Sequence, residues 1–310
     1  MKKIVLCALA IKLFANVHAC DRCSLSLGTG SMQYTNYIGF SYQANSLSGF
    51  IPYTTKSLEK HLSHVSQIEG SDIRELYSSQ ALIASLRITN RFVLEGQLPF
   101  VINQRSIDNQ LSVRCSGIGD PTALLFFRLK EDDSSEDNVR QWLSFGAGVK
   151  FPLGQTQMKY GDASADHDMQ PGSGSFDMVL STRYLIAVNR YSVSAEAFGI
   201  LNTPNLSGYQ YGNELRLRSV FSAQFMINNF GIRPSIGSQS EWHKPDFSYE
   251  TPLNGTGATF IFATAGMDFT WKNVSLSASG LLPVFQQIEG QQLEVDRRIN
   301  FELKYLFNKS

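Results

Sequence analysis

The sequence predicts an all-β fold: a transmembrane, antiparallel, up-and-down β-barrel of about 12 strands, with short periplasmic turns and longer extracellular loops. Three observations predict it. Apolar and polar residues alternate with period two along one segment after another. The connections alternate between short and long. Beyond the N-terminus, no stretch stays apolar for the roughly 20 residues that a membrane-spanning helix needs.

The segment VDRRINFELKYLF, residues 295–307, shows the alternation best. Val295, Arg297, Ile299, Phe301, Leu303, Tyr305 and Phe307 share one parity, and Asp296, Arg298, Asn300, Glu302 and Lys304 share the other. Successive side chains of a strand point to opposite faces, so, Arg297 apart, this strand has one apolar and one polar face. In ELRLRSVFSAQFMI, Leu215, Leu217 and Phe221 oppose Arg216, Arg218 and Ser222. In NVSLSASGLLPV, Val274 and Leu276 oppose Ser275 and Ser277, and in QWLSFGAGVKF, Phe145 and Val149 oppose Ser144 and Lys150. Such segments begin near residues 36, 75, 92, 119, 140, 175, 191, 211, 230, 257, 274 and 295.

Every second connection is short: Thr89-Asn90-Arg91, Val188-Asn189-Arg190, Asn228-Asn229 and Trp271-Lys272-Asn273, with the acidic EDDSSEDN at 131–138 as a longer one. Asn suits such turns because it tolerates positive φ. The other connections, roughly 46–73, 105–117, 155–174, 203–210, 244–256 and 288–294, are mostly longer and rich in Gly, Ser and Pro. A soluble β-sandwich also alternates, but with shorter strands and no asymmetry of loop length. Trp142, Tyr184, Tyr191, Trp271 and Tyr305 near the strand ends suit a membrane interface. Backbone groups in lipid must all pair, so the first and last strands are expected to close on each other.

Composition and the N-terminus set the compartment. Lys and Arg number 27 against 27 Asp and Glu, so no net field favours nucleic acid. Met-Lys-Lys followed by an apolar run to Phe14 and by Val17-His18-Ala19 reads as a signal peptide over 1–19, cleaved near Ala19/Cys20. Residues 20–35 would then be a periplasmic segment carrying Cys20 and Cys23, and 36–310 the outer-membrane barrel. The expected surroundings are outer-membrane lipid.

Several Gly-rich motifs carry a family likeness: Gly117-Ile118-Gly119-Asp120, Gly148 to Gly154, Gly172-Ser173-Gly174-Ser175-Phe176-Asp177, Tyr211-Gly212-Asn213 and Thr256-Gly257-Ala258-Thr259. In order and spacing the series resembles the outer-membrane barrels grouped as the MetA-pathway-of-phenol-degradation, or "transporter", family. It is most similar to a branch whose mature chain begins C-D-x-C-G-C. Here Ser24 and Leu25 stand where that branch has Gly and a third Cys. The resemblance implies a barrel, an outer-membrane address and a transport role for a small, hydrophobic or aromatic solute.

The polar parity supplies the candidate lumen-lining set: Arg87, Glu95, Arg128, Lys150, Asp177, Arg183, Glu196, Arg216, Arg218, Arg233, Asp268, Glu302 and Lys304. These residues either filter a solute or fill a narrow barrel with mutual ion pairs. Gly39, Gly146, Gly148 and Gly266 share that face and would leave room. Cys20 and Cys23 are read as a disulfide, a thiolate metal or redox site completed by a periplasmic partner, a lipid anchor, or no site at all; two thiols fall short of a closed zinc site. Cys115 falls in the 105–117 loop on the opposite side. Asp162, Asp166, His167 and Asp168 form either a surface cation site or a solvated loop. A membrane-embedded hydrolase would draw on His61, His64, His167 or His243, without a nucleophile-elbow signature to support it. No catalytic residue, resident metal or cofactor is expected. The two readings carried forward are a passive channel or transporter, and a non-conducting barrel serving a periplasmic redox or metal-handling partner through Cys20 and Cys23.

Overall fold

The computed structural model describes residues 36–52, 70–132, 139–160, 163–290 and 292–307. The signal segment 1–19, Cys20, Cys23 and the EDDSSEDN turn over 133–138 lie outside them. The main strands are β1 (Asn36–Pro52), β2 (Gly70–Arg87), β3 (Phe92–Ile107), β4 (Gln110–Ile118), β5 (Thr122–Asp132), β6 (Val139–Lys150) and β7 (Asp177–Val188). They continue with β8 (Tyr191–Leu201), β9 (Glu214–Ala223), β10 (Phe230–His243), β11 (Ala258–Trp271), β12 (Val274–Ile288) and β13 (Glu294–Phe307). Apart from β4 and β5, which do not pair with each other, each pairs antiparallel with its chain neighbours, and β1 pairs with β13 from Asn36↔Phe307 to Ser48↔Glu294, so the sheet closes into a 12-stranded barrel.

Thirteen strands make 12 staves because β4 and β5 share one. β3 pairs with β4 along Phe100–Ile107 and with β5 along Phe92–Gln97. The expected 105–117 loop is therefore a hairpin: the end of β3, a turn and β4. Asp108 and Asn109, at φ 49° and 63°, form a two-residue hairpin turn that reverses the chain immediately. Cys115 moves with it, from a loop to a buried place on β4. The tight turns at the other end rest on the same chemistry: Asn189, Asn228 and Lys272 all have positive φ. β1 and β2, of 17 and 18 residues, exceed the 9–11 that a tilted strand needs to cross lipid.

The alternation sorts as expected. Ile38, Phe40, Leu82, Phe145, Leu217, Leu276 and Leu303 are exposed on the outer face, Leu82 by 59% and Leu303 by 51%, an apolar surface suited to lipid. Arg297 is explained by a bulge. Ser46 pairs with Arg297 but Leu47 with Val295, so Asp296 is the extra residue, Val295 turns inward and Arg297 outward. Tyr184, Tyr191, Trp271 and Tyr305 face outward near the short turns. Trp142 does not: it pairs with Leu185, which is buried on the inner face, so Trp142 points into the barrel. Its even parity, shared with inward Ser144, decides this.

The inner face is less polar than alternation predicts. In TALLFFRL both parities are apolar, and Leu124 and Phe126 turn inward beside Val93, Val179, Phe198 and Ile200. The space above inward glycines is taken rather than left open. Phe126 ring atoms lie 2.5–2.9 Å from where a Gly146 Cβ would stand, Leu124 crowds Gly148, Lys304 lies over Gly39, and Ser235 and Ser279 flank Gly266.

Candidate functional site

All thirteen lumen candidates lie on the inward parity of their strands, and most form compensated clusters. Arg183 spans Glu95, at 3.0 Å to both carboxylate oxygens, and Glu196 at 2.9 Å, with its guanidinium 4.1 Å from the Phe126 ring centre. Lys304 pairs with Glu302 at 2.6 Å, Arg233 with Asp268 at 2.7 Å and Lys150 with Asp177 at 2.6 Å. Arg216 binds Glu214 and, at 3.2 Å, Glu241, which Arg298 also holds at 2.7 Å. Arg128 donates to the Asn90 carbonyl at the short-turn end, where Arg87 also lies. Charge compensation of this kind is what permits so many ions to be buried together.

Three members of these clusters, Glu214, Glu241 and Arg298, are absent from the candidate set although each lies on the inward parity, and so is Glu75, inward on β2. Arg105, inward on β3, was hidden by the supposed loop. Its guanidinium holds Glu75 and Asp166 together, each at 2.5 Å.

The loop between β6 and β7 occupies the barrel mouth at the long-loop end. Met169 is 0% exposed and packs on Leu47, Ile73, Tyr77, Phe260, Leu281 and Val295, inward residues of strands on the far side. Asn103 donates its amide to the carbonyls of Asp168 and Met169, at 3.4 and 3.2 Å. Gln170 braces the loop from within, bonding Met158 and Ala165. Asp166 is thus a partner of Arg105 and Asp168 is buried. Among the described residues no group of three His, Cys, Asp or Glu could hold a metal ion, and Asp162 lies outside them.

The Gly-rich motifs fasten this closure. Asp120, in the break between β4 and β5, accepts from the Gly154 N–H at 2.9 Å and from the Ser173 N–H and hydroxyl at 2.6 Å each. A Cβ at Gly154 would stand 2.7 Å from both Asp120 Oδ1 and Gly172 Cα, so only glycine admits the approach. Asp177 accepts from Ser175 and from the Thr203 N–H while pairing with Lys150. On the other flank, Asp246 accepts from the Gly212 N–H and the Tyr209 hydroxyl, and its own N–H bonds Thr256. Burial, together with the charges of Asp168 and Asp246, pushes the Tyr209 phenol far above its ordinary pKa, so it remains a donor. His167 stacks on Tyr209 at 3.8 Å between ring centres, and His243 faces Glu241 at 3.4 Å.

Beneath the loop is a cavity of about 70 Å³ bounded by Ser79, Gln97, Asn103, Thr122, Lys150 and Gln170, among others. The β6–β7 loop therefore narrows the outer half of the lumen, whereas inward side chains of the other half, such as Ser194, Arg218, Arg233 and Ser235, keep part of their surface accessible.

No family model matches the chain, and no curated protein matches it. Among solved structures, the chain resembles the crystal structure of an outer membrane channel from Pseudomonas putida F1, with 12% identity, TM-score 0.62, and coverage of 90% of this chain and 100% of that one. A looser likeness, TM-score 0.44 at 10% identity, links it to the β domain of the Bordetella autotransporter BrkA, over 88% of this chain and 100% of that one. At these identities the likeness concerns fold alone, and the fold is that of the outer-membrane β-barrels.

Proposed function

We propose that the protein sits in the outer membrane, short turns toward the periplasm, as a gated passive channel for a small solute. The observation that carries this is a charge-compensated polar lumen whose outer mouth is narrowed by the β6–β7 loop, which hydrogen bonds, an ion pair and apolar packing hold against the inner wall. A hydrophobic or aromatic solute, which the family resemblance implies, is compatible with the inward Phe126, Phe198 and Ile200. The candidate lumen set would then act on selectivity. Planar-bilayer recording of the purified protein tests the reading. Low, intermittent conductance that rises several-fold when residues 157–170 are replaced by a short Gly-Ser linker is the expected result. A variant as silent as the parent, with no solute flux into liposomes, would sink it.

The narrowed mouth favours a second reading, a barrel that conducts nothing and serves a periplasmic redox or metal-handling partner through Cys20 and Cys23. Changing both to Ser separates the two. On the channel reading flux is unchanged; on the docking reading, partner capture and metal content are lost.

A further inference from the structure

We infer that the lumen holds an anion-binding site centred on Arg218, which takes a small monocarboxylate. The inference deepens the channel reading by naming a solute class, and its transport arm rests on that reading. Arg218 faces inward from β9, directly opposite Glu196 of β8 and Gln239 of β10. Its Nε is buried and meets no acceptor. The carboxylates acting on it most strongly are all engaged: Glu196 by Arg183 and the Ser181 hydroxyl, Glu302 by Lys304, Asp268 by Arg233. Gln239 gives its amide to Glu241. Arg216, next inward on the same strand, is a like charge and is itself held by Glu214 and Glu241. Among the described residues no carboxylate lies within ion-pair distance of the Arg218 guanidinium.

A guanidinium does not shed its proton at any physiological pH, so Arg218 stays charged. Glu196, Glu302 and Asp268 compensate that charge only through space, so the guanidinium donors are left for an anion from solution. The planar fork of donors matches a carboxylate in bidentate geometry. The surrounding Glu196, Glu302 and Asp268 disfavour a second negative charge, which argues for a monoanion over a phosphate dianion. Ser194, the inward residue of β8 next to Glu196, is small and partly accessible, so an anion reaches the guanidinium from the accessible half of the lumen.

Propionate is the probe, with propionamide as its neutral isostere, each added to the refolded full-length barrel at constant ionic strength in chloride. Propionate is expected to raise the wild-type unfolding midpoint in a saturable way, propionamide is not, and Arg218→Gln and Arg218→Met are expected to respond to neither. Propionate shifting wild type and both variants equally, or shifting none, overturns the site. In bilayers under a salt gradient, Arg218→Gln is expected to lower the anion-to-cation permeability ratio several-fold; an unchanged ratio also overturns it. A wild type that conducts nothing yet keeps its propionate-specific shift overturns the channel reading and supports the site.

Discussion

Leu303 and Glu302 adjoin in sequence and face opposite media, so substitutions there report the inside–outside assignment. Leu303→Arg places a cation against lipid and should cost about 2–4 kcal/mol near the midplane. From alternation alone Glu302→Arg is mild, because it changes a lumen side chain. The structure reverses that expectation. Glu302 is 2% exposed beside Lys304. A second cation there leaves two buried like charges, for about 3–5 kcal/mol. Gln97→Glu, isosteric and opening onto the cavity that Lys150 also lines, should cost far less than either. Urea unfolding of the barrel in lipid vesicles measures all three, and equal costs at Leu303 and Gln97 would mean the faces are misassigned. Tyr209 supplies a pH signature. Its raised pKa favours the folded protein while the phenol is protonated, so that contribution is complete below the ordinary value of 10.0 and is lost as pH climbs above it. Tyr209→Phe should therefore flatten the alkaline limb of a stability–pH curve. A limb of unchanged steepness would contradict the Asp246–Tyr209 bond as its source.

At the scale of elements, packing against neighbouring strands decides what the local sequence leaves open. Gly146→Ala must displace the Phe126 ring from its place under Arg183, and an overpacking cost of about 1–3 kcal/mol is expected. Gly96→Ala, whose Cβ meets nothing nearer than 3.6 Å, should be close to neutral. The same unfolding assay compares them, and equal losses would mean that strand propensity rather than packing sets the cost. The divided stave shows why 105–117 misleads as sequence. Its residues alternate poorly, and Gly117, Gly119 and Pro121 mimic a loop. Pairing with β3 supplies the hydrogen bonds that make it a strand, and that pairing is long-range information. The start positions near 36, 92, 191, 230, 274 and 295 are legible locally because each follows a short turn or opens a clean alternation.

For the whole molecule, the narrowing of the mouth by the β6–β7 loop is the property with most bearing on transport. Asp120→Ala removes three hydrogen bonds from Gly154 and Ser173 without touching the barrel wall. It should leave the unfolding midpoint nearly unchanged while speeding trypsin cleavage at Lys159 and raising bilayer open time. Unchanged cleavage would mean that the Met169 cluster alone retains the loop. Arg105→Gln attacks the other anchor and, because it strands Glu75, should also lower global stability, by about 3–5 kcal/mol. The contrast separates gating from folding.

The sequence by itself determined the barrel, the parity of its lumen residues and the asymmetry of its ends, because side-chain alternation and turn chemistry are properties of neighbouring residues. It placed all thirteen lumen candidates on their strands, but not which of them compensate one another: Arg183 lies 88 residues from Glu95, and Arg298 lies 57 from Glu241. Only the closed tertiary structure decided that the loop after β6 returns to the mouth, that Phe126 and Phe198 fill part of the lumen, and that Arg218 keeps no ion partner among the described residues. The physical reason is curvature. Closing 12 strands brings inward side chains from opposite staves into contact, and no local pattern encodes which charges then meet.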